Sequence, residues 1–398
     1  MKILVVCQYY YPEPFRITDI CESLVKNGHE VTVLTGLPNY PEGIVLDEYR
    51  YGNKRVEKIN GVNVIRCFEI GRGKSNLRLF INYISFIISA SIKSLSLKKK
   101  YDVVFVNQLS PVLMAIPGII YKNKNRKKLL LYCLDLWPES LVAGGITEKS
   151  YIYKFFKIIS KRIYNSADEI FISSNLFRDY FEEILNINDN NISYLPQYAE
   201  NLFLENVEMD RNEKINFVFA GNIGDMQSVD TIVKAANEVK NNKDIVFHIV
   251  GDGSKLKECK NLTEKLNLKN IVYYGRLPLS KMPQIYGMAD AMLITLKNNS
   301  NISYTLPGKL QSYMAAGKPI IGAINGEANQ VIKESKCGLV CEAEDFSALA
   351  HLITNFHNST SSEKLSMSKN SYSYYVNHFC KAHFMLKLEE KLCELGEN

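Results

Sequence analysis

Lys309 follows the bend Leu306-Pro307-Gly308 and precedes Leu310, Tyr313 and Met314 at helical spacing, with Gly317 placed to stop the helix. This pattern predicts a helix whose first turn carries a lysine. Free N–H groups and the positive end of the helix dipole favour an anion at such a start, and the lysine adds a mobile charge, so the chemistry on offer is the holding of a diphosphate. The same residues also suit a plain Pro/Gly turn before a core helix. A second loop of this kind is Gly221-Asn222-Ile223-Gly224, which follows an apolar run and lets backbone N–H groups approach an anion closely. Gly251-Asp252-Gly253 ends another apolar run. Arg276, just after Val272-Tyr273-Tyr274, is a further cation for a diphosphate or a surface ion-pair partner.

A different chemistry is suggested nearer the N-terminus. Asp135 and Glu139 flank Trp137-Pro138, and Trp137 is the only tryptophan of the chain. Two carboxylates beside an aromatic platform suit sugar hydroxyls, with Asp135 as a general base or electrostatic partner. Glu13 and Arg16 follow the first apolar run, and Asn39 and Tyr40 lie in the turn Leu37-Pro38-Asn39-Tyr40-Pro41. These are donor or acceptor contacts, or else helix caps and buried ion pairs. None of the six histidines sits in a triad-like setting, and no Asp-x-Asp resembles a metal–nucleotide site. Metal independence is therefore expected, with helix dipoles and cations stabilising a departing diphosphate.

Short apolar runs alternate with helical patterns and must position these groups. Strands are predicted at 2–7, 30–35, 62–68, 103–107, 129–134, 169–173 and 191–195, and helices at 17–26, 79–97 and 150–165. After an acidic, irregular linker at 197–213 the alternation resumes, with strands at 217–220, 246–250, 271–274, 291–295 and 319–323 and helices at 228–239, 254–266, 280–287 and from Lys309. Two doubly wound α/β units facing a cleft follow, their ligands beyond the carboxyl ends of the strands. The candidate loops are then 8–16, 36–41, 107–111 and 135–139 on the first unit, and 221–227, 251–253 and 296–309 on the second. The tail at 362–395 is helical in pattern.

At 398 residues the chain exceeds one ordinary core, so two domains of roughly 150 to 200 residues are expected. Its 46% hydrophobic and 23% charged content excludes extended disorder. Nine cysteines without a CxxC pair point to a reducing cytoplasm and no structural zinc. The start, Met1 to Cys7, reads as a buried strand too short for a signal peptide, and the apolar stretch 79–97 is interrupted by Asn82, five serines and Lys93. Net charge is only +6, but residues 72–128 hold twelve basic side chains and one acid, Asp102. Leu79, Phe80, Tyr83, Phe86, Ile87 and Ile88 interleave with them, which favours a membrane-surface contact, or a core helix with lysines on its outer face and flanks. Nucleic acid is not expected, because no binding module is present.

Pro307 to Gly326, PGKLQSYMAAGKPIIGAING, resembles the donor-binding segment of family 4 glycosyltransferases with the GT-B fold, in particular the WbuB-like subgroup of O-antigen and capsule enzymes. The blocks Gln8 to Pro14, Gly28 to Pro41, Asp135 to Ser140, Gly221 to Gly224 and Val250 to Gly253 match in order. The resemblance implies two Rossmann-like domains: 1–200 on the acceptor side, with a helix at about 371–398 returning onto it, and 212–370 for the nucleotide sugar. It implies a retaining hexosyltransferase moving a sugar from UDP to a lipid-diphosphate-linked saccharide in O-antigen, lipopolysaccharide or capsule synthesis, at the inner face of a bacterial membrane. An N-acetylated deoxyhexosamine such as N-acetyl-L-fucosamine is the donor sugar it favours, with no cofactor.

By that resemblance the nucleotide sugar is bound by Gly221, Asn222, Gly224, Gln227, Gly251, Arg276, Thr305, Gly308, Lys309, Leu310, Gln311 and Ser312. Asp135, Glu13 and Lys309 are the catalytic set, and Arg16, Asn39, Tyr40, Trp137 and Glu139 face the acceptor. Two departures stand out. Asn222 and Gln227 occupy places where many family members have Arg and Lys, and Tyr304 and Ser312 replace the family's paired glutamates. Ser312 or Gln311 could bond a ribose diol without charge assistance. Glu327 is a further acid, more simply an exposed loop residue. A sugar-nucleotide 2-epimerase of the same fold, or a non-catalytic binding subunit, stays open at this point.

Overall fold

The computed structural model describes residues 1–143, 145–205, 207, 213–298 and 304–397; parts of the expected linker at 197–213 and of the loop at 296–309 lie outside the described residues. The chain forms two compact units, one of Met1–Leu195 joined by the segment from Met385 onward, the other Pro196–Phe384.

The first unit holds β1 (Lys2–Val6), β2 (Glu30–Thr35), β3 (Val56–Ile59), β4 (Val62–Arg66), β5 (Val103–Gln108), β6 (Lys128–Cys133), β7 (Glu169–Ile172) and β8 (Ile192–Tyr194), in the order β3-β4-β2-β1-β5-β6-β7-β8. Ile3, Leu4, Val5 and Val6 are all fully buried, as a strand covered on both faces requires, and unbroken apolar runs mark such strands in sequence. Every pairing is parallel except β3 with β4. β3 was not anticipated. It alternates exposed and half-buried residues at the sheet edge, and its link to β4 is Asn60-Gly61, both at positive φ, the two-residue turn that favours a hairpin.

The second unit holds β9 (Ile215–Ala220), β10 (Ile245–Val250), β11 (Ile271–Gly275), β12 (Ala291–Thr295), β13 (Ile320–Ala323) and β14 (Gly338–Cys341), all parallel, in the order β11-β10-β9-β12-β13-β14. Alternate residues of one strand enter different cores: Val218, Met292 and Ile320 join one cluster, Phe217, Leu293 and Ile321 the other. The sheet is therefore covered on both faces. β14, only four half-buried residues, also escaped the sequence reading. In each unit the chain direction of strand addition reverses beside the first strand, between β1 and β5 and between β9 and β12, and such switch points open a crevice at the carboxyl ends.

The helical tail is not continuous. Ser361–His378 and Lys381–Glu397 are separate helices, the first begun by a capping box of Thr360 and Glu363. Ser371 Oγ of the first helix donates to the Lys318 carbonyl at 2.8 Å, within the second unit. Lys387 Nζ of the second donates to the Tyr194 carbonyl at 2.6 Å, within the first unit. The segment that joins the first unit thus starts at Met385 rather than near 371.

At the end of β10, Gly251 has φ 144°, and a Cβ there would lie 1.8 Å from the Gly221 carbonyl oxygen. Gly251→Ala is expected to lower unfolding stability by more than about 2 kcal/mol, through backbone strain and a clash that no rotamer relieves. Thermal melting of the variant measures this; a parental transition would show that the two loops can part freely.

Candidate functional site

In the second unit, β9 delivers its last residue to Gly221, whose φ of 151° and missing side chain leave room for a lysine. A Cβ on Gly221 would stand 3.0 Å from Cδ, Cε and Nζ of Lys309. Lys309 lies in the first turn of the Gly308–Ala315 helix, which Tyr313 pins to the strand: its hydroxyl donates to the Ala220 carbonyl at 3.0 Å and accepts the Ala220 N–H at 3.2 Å. Lys309 Nζ is buried without a hydrogen-bond partner, 4.0 Å over the Phe219 ring. Burial pushes its pKa down to about 7. An ammonium held this way lacks an anion.

The glycine loop is tied by Gln227, whose Oε1 accepts the Gly224 N–H at 3.2 Å and Asn222 Nδ2 at 3.3 Å. Beside it sit two cations that the sequence reading passed over: Lys297 at the end of β12 and Lys255 after Gly253, both paired with Asp225, at 2.6 and 3.7 Å. Lys297 chiefly holds the Asp225 carboxyl below its usual range. Their position just past strand ends was the available signal.

Other residues of the expected set are less suited to direct contact. Leu310 is fully buried in the core and its N–H donates to the Pro307 carbonyl, so neither group is offered to a ligand. Ser312 is 7% exposed and its hydroxyl donates to the Gly308 carbonyl at 3.2 Å; Gln311 is buried, with Oε1 unpartnered. Arg276 is exposed at the end of the edge strand β11, two strand spacings from β9, or about 10 Å. Thr305 and Gly308 are exposed beside the helix start. Glu327 is no exposed loop acid: it is 3% exposed at the start of the Glu327–Ser335 helix, past the end of β13.

In the first unit, Asp135 follows β6 and its Oδ2 accepts the N–H of Ser110, in the loop after the neighbouring β5, at 2.9 Å. Burial raises its pKa, against the hydrogen bonds from Ser110. Trp137 is not an aromatic platform. It is 6% exposed, its indole N–H donates to Ser110 Oγ at 3.0 Å, and its ring stands edge-on to Phe156. Glu139 is equally enclosed and accepts the Tyr153 hydroxyl, which ties it to the Tyr151–Tyr164 helix rather than to a ligand.

Glu13 also works inward. Its Oε1 accepts the N–H groups of Asn39 and Tyr40 at 2.8 and 2.7 Å and its Oε2 that of Tyr10, fastening the loop after β1 to the loop after β2. Burial pushes its pKa up to about 7 despite those bonds. Asn39 is buried and bonds the Leu37 carbonyl and the Arg72 N–H. Arg16 is the half-buried residue before the Ile17–Lys26 helix.

Tyr40 keeps an exposed edge, with the Arg72 guanidinium 5.2 Å from its ring centre. Burial raises the pKa of Tyr83, opposed by the charge of Arg72. Both had been counted only as part of the basic amphipathic segment.

That segment forms the Asn76–Ser96 helix, the one described helix long and apolar enough to cross a membrane, although only 22% of its apolar window is buried inside the protein. Phe86 and Ile87, expected on the membrane side, are core residues. The exposed row is instead Leu77, Phe80, Ile88, Ile92 and Leu95, at helical spacing. The Tyr151–Tyr164 helix adds a second exposed row, Tyr151, Phe155 and Ile158, beside Lys154, and both helices pack on the Val112–Ala115 turn. Among the described residues no three His, Cys, Asp or Glu side chains gather as metal ligands.

Solved structures share this architecture. Sucrose-phosphate synthase of Thermosynechococcus elongatus superposes with TM-score 0.78 at 15% identity, over 99% of this chain and 98% of that one. HepE of Anabaena, in complex with UDP, gives 0.74 at 13% identity over 99% and 100%. Two parallel-sheet Rossmann-like units of this kind define the GT-B class of α/β protein.

Residues 16–197 match the family model described as Glycosyltransferase Family 4, and residues 204–374 that described as Glycosyl transferases group 1. Spanned by the two for most of its length, the chain is a glycosyltransferase of group 1/family 4. WbjE of Pseudomonas aeruginosa, named as a glycosyltransferase, is 27% identical over 303 residues, 72% of this chain and 74% of WbjE. WcaI of Escherichia coli K12, named for colanic acid biosynthesis, is 23% identical over 339 residues, 80% and 82%.

A lysine that titrates near pH 7 when empty should gain a proton when a diphosphate arrives. At pH 8 Lys309 is mostly neutral, and a bound anion raises its pKa, so binding of UDP is expected to take up a fraction of a proton that vanishes below about pH 6. Calorimetry at pH 8 in buffers of different ionisation enthalpy reads the uptake. Lys309→Arg should keep affinity without uptake, and equal uptake in parent and Lys309→Arg would assign the proton elsewhere.

Proposed function

We propose that this glycosyltransferase moves a sugar from a UDP donor, with retention, onto a lipid-diphosphate-linked saccharide in surface polysaccharide synthesis. The observation that carries the donor half is the buried, unpartnered ammonium of Lys309 at a helix start beside Gly221. A diphosphate supplies the missing anion, and the helix N–H groups and dipole share its charge as the bond to the sugar breaks. The UDP held by HepE, a neighbour in fold, supports the choice of nucleotide. An N-acetylated deoxyhexosamine as the sugar rests on the WbuB-like wording of residues 307–326, and the polysaccharide setting on the names of WbjE and WcaI.

Metal independence belongs to the same reading: Lys309 and the N-terminus of its helix provide positive charge where a metal ion would otherwise be needed. On the first unit, Asp135 is the candidate to orient or deprotonate the acceptor hydroxyl. Glu13 then acts by fixing two loops rather than at the reacting atoms. A 2-epimerase would interconvert nucleotide sugars without acceptor and leaves the exposed apolar rows unused. A purely binding subunit would show neither reaction. A panel of labelled UDP-sugars with a lipid-diphosphate acceptor separates the three.

If the donor is held through Lys309 and the acceptor through Asp135, the two variants must differ. Lys309→Ala is expected to weaken UDP binding and transfer at least about tenfold, since a charge-assisted phosphate contact is worth roughly 1.5 to 3 kcal/mol. Asp135→Asn should leave UDP affinity near the parent value while depressing turnover. Titration with UDP beside initial rates decides it, and equal loss of affinity in both variants removes the assignment.

The exposed rows on the Asn76–Ser96 and Tyr151–Tyr164 helices, with the exposed lysines Lys98, Lys99 and Lys100, support peripheral attachment to the cytoplasmic face of the membrane. Exchanging the three lysines for Gln should cut binding to anionic vesicles, each charge contributing about 1 kcal/mol at such a surface. Co-sedimentation across a salt series measures it; coincident curves for variant and parent would place the docking face elsewhere.

A further inference from the structure

A cavity of about 710 Å³ lies in the first unit past the carboxyl ends of β2 and β4, the side on which sheets of this type bind ligands. Its apolar lining includes buried Leu37 and the exposed Ile44 and Phe68, 60% and 55% accessible. Arg50, Arg55 and Arg78 line it as well. Arg50 is already engaged by Asp47 at 2.7 Å and by the Val45 carbonyl. Arg55 and Arg78 have no ion-pair partner among the described residues, and Arg55 Nη1 is shut from solvent without a hydrogen bond. The single acid on the wall, Glu69, is fully buried, and burial pushes its carboxyl up to about 8, so it opposes an anion little at neutral pH.

Guanidiniums without counter-ions beside exposed aliphatic and aromatic side chains fit an amphipathic anion better than either a free sugar or a neutral lipid. Continuity argues for the same occupant. Arg78 stands in the first turn of the Asn76–Ser96 helix, between Leu77 and Phe80, which begin the exposed apolar row of that helix. An apolar chain lying along the row would bring a phosphate attached to it to Arg78 and Arg55. Gly71 and Gly73, which also line the cavity, flank Arg72, whose guanidinium lies 5.2 Å from the Tyr40 ring centre. We propose that this cavity binds the phosphate end and the adjoining apolar chain of the lipid-linked acceptor, with Arg55 and Arg78 as the phosphate contacts. The proposal rests on the transferase reading above and specifies how that reaction's acceptor is held.

Calorimetry with farnesyl diphosphate, below its micelle concentration and in saturating UDP to occupy the Lys309 site, tests the proposal on the full chain. The parent should bind one equivalent. Arg55→Gln/Arg78→Gln should weaken binding at least about tenfold, Arg55→Lys/Arg78→Lys should restore most of it, and inorganic diphosphate should bind far more weakly than the farnesyl compound. Ile44→Asn should weaken farnesyl diphosphate while leaving inorganic diphosphate unchanged. Equal affinity of parent and Arg55→Gln/Arg78→Gln, or equal displacement by short-chain phosphatidic acid, overturns the proposal; the second outcome would mark an unspecific phospholipid contact. UDP titrated into the same proteins in the absence of other ligands reports the donor reading separately, so absence of UDP binding with farnesyl diphosphate binding intact would fault the transferase assignment and not the cavity.

Discussion

The second unit is organised around a positive charge that has nowhere to go. Lys309 is carried by the same short helix that Tyr313 bolts to the end of β9, so its ammonium is held between Phe219 and the backbone of Gly221 with no acceptor in reach. Burying an unpaired ammonium costs stability unless it deprotonates or finds an anion. The glycines at 221 and 251, the reversal of strand order between β9 and β12 and the lysines around Asp225 all sit about that point. A bound diphosphate relieves the cost, which makes the site favourable to fill and sensitive to pH.

The first unit handles its polar groups differently. Glu13, Gln8, Glu69, Asn82 and Asn39 form one buried network in which Glu69 Oε1 accepts Gln8 Nε2 at 2.7 Å and Asn82 Nδ2 at 2.6 Å, while Glu13 takes three backbone N–H groups. These side chains fix loops after three different strands and after the start of the Asn76–Ser96 helix. Tyr40, Arg72, Tyr83 and Asp135 keep part of their surface accessible, and Arg55 and Arg78 line the cavity. Rigid interior hydrogen bonding thus frees a few residues for ligand contact.

Much of the fold could be read because central parallel strands are continuous apolar runs ended by glycine or polar turns. β1, β5, β6, β9, β10 and β12 were recognisable on that ground, whereas β3 and β14, short and half-buried at sheet edges, carry no such run. In the candidate site, what was legible is where backbone conformation dictates residue type, as at Gly221 and Gly251, both at positive φ. Trp137, Glu139 and Asn39 misled because a buried polar residue bonding inward looks the same in sequence as one bonding a ligand. Lys297 was hidden for the converse reason: its pairing with Asp225 arises from loops brought together by β-strand order, not from neighbours in the chain.

The helix Lys381–Glu397 has a consequence for synthesis. Lys387 and Lys391 reach the Tyr194 carbonyl and the Glu169 carboxylate, the latter at 3.7 Å, and Cys393 Sγ lies 3.8 Å from Met1 Sδ, so a piece encoded after the whole second unit covers residues of the first. As the chain leaves the ribosome, the first sheet is complete long before its covering helix exists. Residues 1–195 must wait, part of their apolar surface bare, while nearly two hundred more are made, an interval in which chaperone binding or aggregation competes with folding.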